Sequence, residues 1–241
     1  MYHHVAPTPV RGHYRTQYDY RLAYDLTVSP EAFAGQLAYL EASGYHAVTA
    51  HAILNYLLYG IPLPVKPVAL TFDDGYLDNF TYAFGALQSR HMIATFNVIT
   101  GMVGQQNKDL QYMSWDDLKW MVDRGMDIES HTVTHHDLGT LSNDSALREL
   151  VQSRAALQEH LNVAADVLTY PSGEPFRSGS VARQQDILRL LPRAGYAGAL
   201  LDQRTNGTFQ RAREPYQLVR VRVAGGEPLK AFGENLGIPG P

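Results

Sequence analysis

Cysteine is absent from this sequence, and the absence excludes three kinds of chemistry at once. The chain can form no disulfide, has no thiolate nucleophile and offers no thiolate ligand to a metal ion. Any bound metal must therefore be held by histidine, aspartate or glutamate side chains.

Long apolar runs are also missing. No stretch approaches the roughly 18 apolar residues that a membrane-spanning helix requires, so we expect no transmembrane segment. The first ten residues, MYHHVAPTPV, lack the basic and apolar regions of a signal peptide. Because MYHHV has the character of a strand end, we expect the natural protein to begin earlier, with a leader or anchor that precedes this chain.

A strong net charge is lacking as well, since 20 Lys and Arg residues stand against 24 Asp and Glu residues. A chain with so small a net charge produces no strong electrostatic field that would attract nucleic acid or an anionic membrane, and we predict neither as a partner. With 241 residues, 45% of them hydrophobic, the chain can bury a substantial core. We therefore predict a single domain spanning residues 1–241, and we expect it to be monomeric.

Helix and strand patterns alternate along the chain. Ser29-Pro30-Glu31 combines a capping hydroxyl with proline at the first helical position, and helical spacing continues to Gly44. Further helices are predicted near 51–59, 77–90, 114–125, 145–161 and 181–193, and strands at 68–72, 93–99, 126–130, 167–170, 196–201 and 218–223. This alternation predicts an α/β fold with a mostly parallel sheet, either open or closed into a barrel. Ligands of such folds bind at the carboxyl ends of the strands.

Two adjacent carboxylates, Asp73 and Asp74, follow a predicted strand in the stretch LTFDDGY. An isolated Asp-Asp-Gly is an ordinary polar turn that caps the next helix. The alternative is a functional pair, in which one carboxylate binds a metal ion and the other accepts a proton from water beside it.

A histidine cluster, SHTVTHHDL at residues 130–138, follows another predicted strand. His131 and His135 are four residues apart and can converge on one cation if the chain turns there; an exposed cluster without a ligand is the alternative. One carboxylate of the Asp73–Asp74 pair would complete a two-histidine, one-carboxylate site with open coordination positions, which is what a catalytic metal centre needs.

A third stretch, LTYPSG at residues 168–173, also follows a strand. It is either a Pro/Gly turn or a rigid loop that directs a backbone N–H at an oxyanion. Ser172 has no histidine beside it in the sequence, so a serine hydrolase is not favoured.

Other polar and aromatic residues have structural interpretations. Trp115 and Trp120 are predicted to pack a helix into the core, although Tyr112, Trp115 and Tyr170 also fall near strand ends, where a sugar could stack. Arg220 and Arg222 alternate with valines in the last predicted strand; one of them could face the site, but we expect a solvated strand face.

Taken together, TFDDG, SHTVTHHDL and the Pro-Ser-Gly loop resemble the polysaccharide deacetylase family, the NodB-homology or family 4 carbohydrate esterases. The resemblance implies a distorted (β/α) barrel, usually of seven strands. It implies Asp73 as the catalytic base, and Asp74, His131 and His135 as ligands of a divalent metal. Zn²⁺ is the expected cofactor, with Co²⁺ and Ni²⁺ as alternatives.

Two parts of the family pattern are missing. Thr169-Tyr170-Pro171-Ser172-Gly173 stands where common members have Arg-Pro-Pro-Tyr-Gly, so the arginine that would position the base is absent. No histidine follows His160 to serve as the general acid.

The stretches MYHHV, PLPVKPVALTFDDGY and LVRVRV resemble the branch of the family that deacetylates poly-β-1,6-N-acetylglucosamine, a biofilm exopolysaccharide. This implies His3 as the acid, with His4 as the second choice; a buried histidine satisfied by hydrogen bonds is the alternative. The Ser172 N–H is the expected oxyanion donor. The residues expected to bind substrate are Tyr170, Pro171 and Gly173.

The function implied is metal-dependent N-deacetylation of N-acetylglucosamine units in a polysaccharide, outside the cytoplasm in the periplasm or at the cell surface. Peptidoglycan or chitin oligomers are alternative substrates, and so are O-acetyl esters on xylan-type glycans. A third class is a carbohydrate-binding relative that has lost catalysis.

Overall fold

Strands and helices alternate along the chain, as the sequence predicts. The computed structural model describes residues 1–106, 110–202, 210 and 212–237. The strands are β1 (His4–Val5), β2 (Thr27–Val28), β3 (His46–Val48), β4 (Pro67–Ala69), β5 (Thr71–Phe72), β6 (Thr95–Val98), β7 (Asp127–Ser130), β8 (Val167–Thr169) and β9 (Gly198–Leu200). The α-helices are α1 (Gln17–Leu26), α2 (Pro30–Ala42), α3 (Ala50–Tyr59), α4 (Gly85–Gln88), α5 (Trp115–Val122), α6 (Asn143–Leu161), α7 (Val181–Ala194) and α8 (Leu229–Asn235).

Five strands form the main sheet in the order β5-β6-β7-β8-β9, and every neighbouring pair is parallel. Two small parallel sheets, β1–β2 and β3–β4, are separate from it. The predicted strand 68–72 is thus divided, because β4 pairs with β3 whereas β5 pairs with β6. The expectation of a seven-stranded barrel is wrong in strand number for the described part of the chain.

The segment 218–223 lies along β9 but is not the strand that its alternating pattern predicts. Leu218 donates its N–H to the Ala199 carbonyl at 2.9 Å, and the Leu218 carbonyl accepts from the N–H of Leu201 at 2.8 Å. Beyond Leu218 the segment pairs with the N-terminus instead of β9, so its pairing with β9 stops at a single bridge. The strand prediction is wrong because the segment pairs with two neighbours in succession.

The N-terminal residues close the remaining gap between 218–223 and β5. The Met1 ammonium donates to the Val221 carbonyl at 2.7 Å. Tyr2 donates its N–H to the Thr71 carbonyl at 2.8 Å, and its own carbonyl accepts from the N–H of Asp73 at 2.9 Å. Five strands and two irregular segments thereby form a closed, distorted ring of hydrogen-bonded backbone.

Aromatic side chains pack the outside of this ring against α2. Phe72 and Phe96 stack with their ring centroids 4.7 Å apart, and Tyr2 stacks on Phe72 at 5.1 Å. Phe33 of α2 meets Phe72 edge-on at 5.7 Å. All four side chains are buried, and aromatic pairs of this kind contribute about 0.5–1.5 kcal/mol each beyond the area that they bury.

Local patterns predicted most helix starts correctly. Ser29 caps α2 by accepting the N–H of Ala32, and Ser114 caps α5 through a reciprocal pair of bonds with Asp117. The helix predicted for 77–90 is instead a π-helix, Asn79–Phe84, continued by α4. None of the helices in the described residues is long and apolar enough to cross a membrane.

The two tryptophans of α5 behave differently. Trp115 packs against the core, as predicted. Trp120 is 51% exposed, and the guanidinium carbon of Arg124 lies 3.3 Å from the centroid of its ring. The core prediction is therefore wrong for Trp120, which is covered by a cation–π contact at the surface.

The inside of the ring is polar. On β6, Thr95 and Asn97 face away from the outward-packed Phe96, because successive strand residues point to opposite sides. On β7, Asp127 and Glu129 lie opposite Thr95 and Asn97 in register. Thr95 donates to Asp127 at 2.8 Å near the start of both strands. A column of hydrogen-bonding side chains therefore runs through the ring toward the carboxyl ends of the strands.

We predict that an ion pair at the start of β8 makes stability depend on pH. His51 Nδ1 and Asp166 Oδ1 are 2.7 Å apart, and this hydrogen bond raises the pKa of His51 above its ordinary 6.5. Because the folded pKa exceeds the unfolded one, the pair's contribution is complete below about pH 6.5 and is lost as the pH rises through the folded pKa.

The free energy of unfolding of the wild type should therefore exceed that of His51→Gln by less at about pH 8.5 than at about pH 5.5. Urea unfolding at both pH values measures the two differences. A difference that stayed constant or grew with pH would contradict the assignment.

Candidate active site

Asp73 and Asp74 follow β5 directly, and the backbone separates their side chains. Asp74 and Gly75 are both left-handed, with φ of 74° and 83°. A side chain at Gly75 would meet Val98 Cγ1 at 3.2 Å, so glycine suits this turn both in conformation and in space. Asp74 tolerates the left-handed region better than most residues do. The turn gives the two adjacent carboxylates different surroundings.

Asp74 faces the two histidines that the sequence singled out. Its Oδ1 lies 3.4 Å from His131 Nε2 and 3.5 Å from His135 Nε2. Asp74 and His131 are buried, whereas the His135 side chain is 33% exposed. These three residues form a group that can hold a metal ion.

The separations within this group fit a metal ion better than direct hydrogen bonds. Tetrahedral zinc, with N and O ligands at about 2.0–2.1 Å, places neighbouring ligand atoms about 3.3–3.4 Å apart. The observed 3.4 and 3.5 Å lie close to that spacing and beyond the usual hydrogen-bond range of about 2.7–3.2 Å. The donor set of two imidazoles and one carboxylate is also one that zinc accepts.

Backbone contacts orient His131. Its N–H donates to the Val98 carbonyl at 2.9 Å, which extends the ladder between β6 and β7 by one residue. Its Nδ1 lies 2.8 Å from the Thr169 carbonyl, and since a carbonyl can only accept, Nδ1 carries the hydrogen. In the neutral ring Nε2 is then unprotonated and free to bind a metal.

The two histidines respond differently to their surroundings. Burial and the neighbouring His131 lower the pKa of His135. Burial would also lower the pKa of His131, but the carboxylates of Asp74 and Asp73 outweigh it and raise that pKa. Burial would raise the pKa of Asp74, but the nearby imidazole of His131 outweighs it and lowers that pKa, which favours the ionised form that binds a metal.

Asp73 instead forms a buried ion pair with Arg220. Arg220 Nη1 lies 2.7 Å from Asp73 Oδ1, and Nη2 lies 2.8 Å from Oδ2, in a two-point contact. Asn97 Nδ2 donates to Oδ1 at 2.7 Å. The expectation that Arg220 is solvated is wrong. Residues 218–223 help to close the ring between β9 and β5, and the guanidinium of Arg220 turns inward to Asp73.

Arg220 also corrects the inference that Asp73 lacks a supporting arginine. The residue is absent from the loop after β8, where the family pattern places it, but a guanidinium reaches the same carboxylate from the last segment. Burial alone would raise the pKa of Asp73, yet the charge of Arg220 outweighs it and holds that pKa well below its usual range. Arg220 therefore favours the ionised form of Asp73.

His3 lies beside these carboxylates, and His4 is engaged elsewhere. The Tyr2–Phe72 bridge places His3 next to the end of β5, and the His3 carbonyl accepts from Asn79 Nδ2 at 3.0 Å. Burial lowers the pKa of His3, while the charges of Asp73 and Asp74 oppose that effect.

His4 Nδ1 lies 2.6 Å from Asp78 Oδ2, and its ring stacks on Tyr76 at 3.9 Å. Of the two histidines in the Tyr-His-His stretch, His3 is therefore the one whose electrostatic neighbours are Asp73 and Asp74.

The loop after β8 exposes Ser172 and buries the aromatic ring of Tyr170. Tyr170 is buried, and its hydroxyl donates to the Tyr216 carbonyl at 3.0 Å, so it supports the loop instead of lining a sugar groove as expected. Ser172 is exposed and left-handed, with φ of 55°, and no hydrogen bond among the described residues uses its N–H. Pro171 and Gly173 are buried, and their contact with substrate stays a prediction.

The sequence argument missed Asn97 and gave the inward position of Arg220 only as the second choice. Asn97 stood in the predicted strand 93–99 as a polar residue among β-branched and aromatic neighbours, and this was the available signal. The alternation of Arg220 with valines was the second signal, but a strand pattern does not say which face is buried.

A second group of potential ligands occupies the opposite end of the ring. His51, Glu129 and Asp166 bring their ligand atoms within 4.8 Å of one another. The direct His51–Asp166 contact of 2.7 Å is, however, shorter than ligand atoms around one ion normally approach. We therefore describe this group as an ion pair beside a buried carboxyl group.

Comparison with known proteins agrees with this geometry. Residues 60–197, more than half of the chain, match the family model described as polysaccharide deacetylase. YxkH of Bacillus subtilis (strain 168) is 27% identical over 208 residues, which cover 86% of this chain and 70% of that protein. Poly-β-1,6-N-acetyl-D-glucosamine N-deacetylase of Staphylococcus aureus (strain MSSA476) is 31% identical over 147 residues, 59% of this chain and 49% of the relative. The chain thus spans about half the length of this second relative.

Among solved structures, the deacetylase PplD of Streptococcus pyogenes, in complex with acetate, has the same fold. The TM-score is 0.81, and the match covers 98% of this chain and 95% of that one at 24% identity.

Fold and site together define a distorted parallel barrel with a place for a divalent metal at the carboxyl ends of its strands. The chain belongs to the polysaccharide deacetylase family, whose members are hydrolytic deacetylases that use a divalent metal. The resemblance inferred from its motifs is confirmed.

We predict that metal affinity depends on His135 far more than on the adjacent His136. His135→Ala should weaken Zn²⁺ binding by more than about 100-fold, which is the upper end of the loss seen for residues that only support a ligand. His136→Ala is the comparison variant: His136 is exposed and lies outside the ligand group, but its Nδ1 lies 2.8 Å from Thr134 Oγ1, so we expect at most a small loss through the loop. Competition titration with a chromogenic chelator measures both, and equal loss in the two variants would contradict the ligand assignment.

The Asp73–Arg220 pair should dominate the stability of the site. Arg220→Met leaves a buried carboxylate without its partner, and such a loss costs about 3–5 kcal/mol. Adding Asp73→Asn should recover part of that cost, since the uncompensated charge is removed. Urea unfolding of both single variants and the double variant measures the coupling. Additive effects would show that the two residues do not stabilise each other.

Proposed function

We propose that this chain is a metal-dependent N-deacetylase that hydrolyses the N-acetyl groups of poly-β-1,6-N-acetylglucosamine. In this proposal residues 1–241 act as one deacetylase domain, with zinc on Asp74, His131 and His135. Co²⁺ and Ni²⁺ are acceptable replacements, because the same imidazole and carboxylate ligands bind them.

The observation that carries the proposal is the position of His3 beside the carboxylates of Asp73 and Asp74. Tyr2 pairs with Phe72, and the Tyr2 carbonyl accepts the N–H of Asp73 at 2.9 Å, so the next residue, His3, lies beside the Asp73–Asp74 turn. An amide is hard to hydrolyse because a weak nucleophile must attack and a poor leaving group must depart. A site with an ionised carboxylate and a nearby imidazole provides a proton acceptor for the first step and a donor for the second.

The metal, when bound, supplies Lewis acidity toward the acetyl carbonyl and toward water. Asp73 accepts the proton that water loses as it attacks. Arg220 and Asn97 hold the carboxylate in place through three hydrogen bonds. Those bonds make Asp73 a weak base, so it takes the proton only as the new C–O bond forms and the attacking oxygen becomes positive and strongly acidic.

His3 protonates the departing amine in this mechanism. Its lowered pKa reduces the protonated fraction at neutral pH but makes the imidazolium a stronger acid, which suits a poor leaving group. The bond from Asn79 to the His3 carbonyl fixes the backbone beside Asp73.

The Ser172 N–H is the proposed donor to the oxyanion. The left-handed conformation of Ser172 leaves this N–H out of the hydrogen bonds of the described residues. One such donor is typically worth about 3 kcal/mol in the transition state. The role needs the backbone and not the hydroxyl, so serine can stand at this position.

The choice of polymer is supported by the name of the Staphylococcus aureus relative and by the position of His3 in the N-terminal Tyr-His stretch. Because the proposed substrate is an exopolysaccharide, we propose that the protein acts outside the cytoplasm, in the periplasm or at the cell surface.

The proposal predicts amine release from β-1,6-linked N-acetylglucosamine pentamers by the zinc-loaded protein. Asp73→Asn and His3→Ala should each lower kcat by about 10²–10⁴-fold, the usual contribution of a general base or acid. Both variants should keep zinc, since neither residue is in the ligand group. Fluorescamine detection of free amine, with zinc content measured in parallel, tests this.

Other outcomes separate the remaining functions. Faster release from chitin oligomers would move the substrate to β-1,4 glycans. Turnover of acetylated xylan that survives His3→Ala would indicate an esterase, because an ester leaving group needs less protonation. Glycan binding without turnover, unchanged by Asp73→Asn, would refute the enzyme proposal.

A further inference from the structure

The loop between the two histidine ligands is held in an unusual backbone conformation. Thr132 and His135 are both left-handed, with φ of 66° and 59°, and neither is glycine. A β-branched residue such as Thr132 rarely adopts this conformation. Such residues persist only when the surrounding structure fixes them. The contacts that fix this loop therefore also determine where His135 stands.

One side of the loop rests on the connection that follows β6. Thr100 donates its N–H to the Thr132 carbonyl at 3.0 Å, and Gly101 donates to the Val133 carbonyl at 2.9 Å. A side chain at Gly101 would meet the Val133 oxygen at 2.5 Å, so only glycine permits this approach. These bonds satisfy carbonyl groups of the loop and leave its N–H groups to other partners.

The other side of the loop rests on one carboxylate, that of Glu149 on α6. Its Oε2 accepts the N–H groups of both Val133 and Thr134, each at 2.9 Å. Its Oε1 accepts the Thr134 hydroxyl at 2.8 Å. Three donors from two consecutive residues thus converge on a single side chain.

We propose that Glu149 is a positioning residue for the metal centre, which it serves by fixing the loop that carries His135. The inference rests on the proposed function only in assigning metal to Asp74, His131 and His135. Glu149 touches neither the ligand atoms nor the proposed reacting groups. Its carboxylate holds Val133 and Thr134, so that the left-handed residues on either side of them stay in place.

The effect should fall on His135 more than on His131. His131 is buried and fixed by the Val98 and Thr169 carbonyls, which do not involve Glu149. His135 is partly exposed, and the described bond of its backbone is from its own N–H to Thr132 Oγ1 at 3.1 Å. Without Glu149 the loop gains freedom, and metal binding must then order it again.

The test is metal binding by Glu149→Ala, measured without reference to activity. We expect the dissociation constants for Zn²⁺ and Co²⁺ to rise by about 10- to 100-fold, as for other residues that support a ligand from behind. The visible absorption spectrum of the Co²⁺ form should also change in intensity, because it reports ligand arrangement. Glu159→Ala is the matched control, since Glu159 is an exposed carboxylate on the same helix.

Glu149→Gln distinguishes positioning from a general loss of stability. Glutamine has the same length; its amide oxygen can accept both N–H groups and its amide nitrogen can donate to the Thr134 hydroxyl. We expect it to recover most of the affinity, whereas Glu149→Asp, which keeps the charge but is shorter, should not. The thermal midpoint of each metal-free variant shows whether the fold is intact.

Wild-type affinity in Glu149→Ala, or a lowered affinity that Glu149→Gln fails to recover, would overturn the inference. A wild type that binds metal but releases no amine would refute the proposed function and leave the role of Glu149 testable. A wild type that deacetylates normally, together with a Glu149→Ala variant that binds metal as tightly as the wild type, would support the proposed function and refute the role of Glu149.

Discussion

The buried contact between Asp73 and Arg220 is the interaction on which the rest of this structure depends. It joins residues 147 positions apart through two hydrogen bonds. Burying two charges is costly unless geometry and further hydrogen bonds compensate, and here Asn97 and the Leu201 carbonyl supply them. The pair therefore holds the last segment against β5 and at the same time keeps a carboxylate ionised inside the ring.

The division of work between the adjacent carboxylates follows from backbone geometry. A regular strand would point Asp73 and Asp74 to opposite faces, and only one of them would reach the site. The left-handed turn at Asp74 and Gly75 ends the strand between them, so both side chains stay at the open end of the ring. One meets a cationic partner and the other meets two imidazoles. Adjacent like charges are tolerated because each is compensated separately.

The sequence predicted those features that depend on local chemistry. The cap at Ser29 and the ligand pattern of His131 and His135 are examples, because each is determined within a few residues. The sequence did not predict the position of a side chain where that position depends on a partner far away in the chain. Arg220 has a charged side chain but is buried against Asp73, 147 positions away. Segment 218–223 alternates like a strand, yet its two partners in succession prevent a regular ladder.

The closure of the ring by its two irregular segments has a consequence for how the protein is made. Asp74, His131 and His135 all precede residue 200, so a chain synthesised from its N-terminus can bring the three ligands together before the last segment exists. The guanidinium that neutralises Asp73 arrives afterwards, with residue 220. Contacts so distant in sequence are slow to form, because a long loop must be closed first. The ion pair between Asp73 and Arg220 is therefore expected to form late in folding, after Asp74, His131 and His135 have come together.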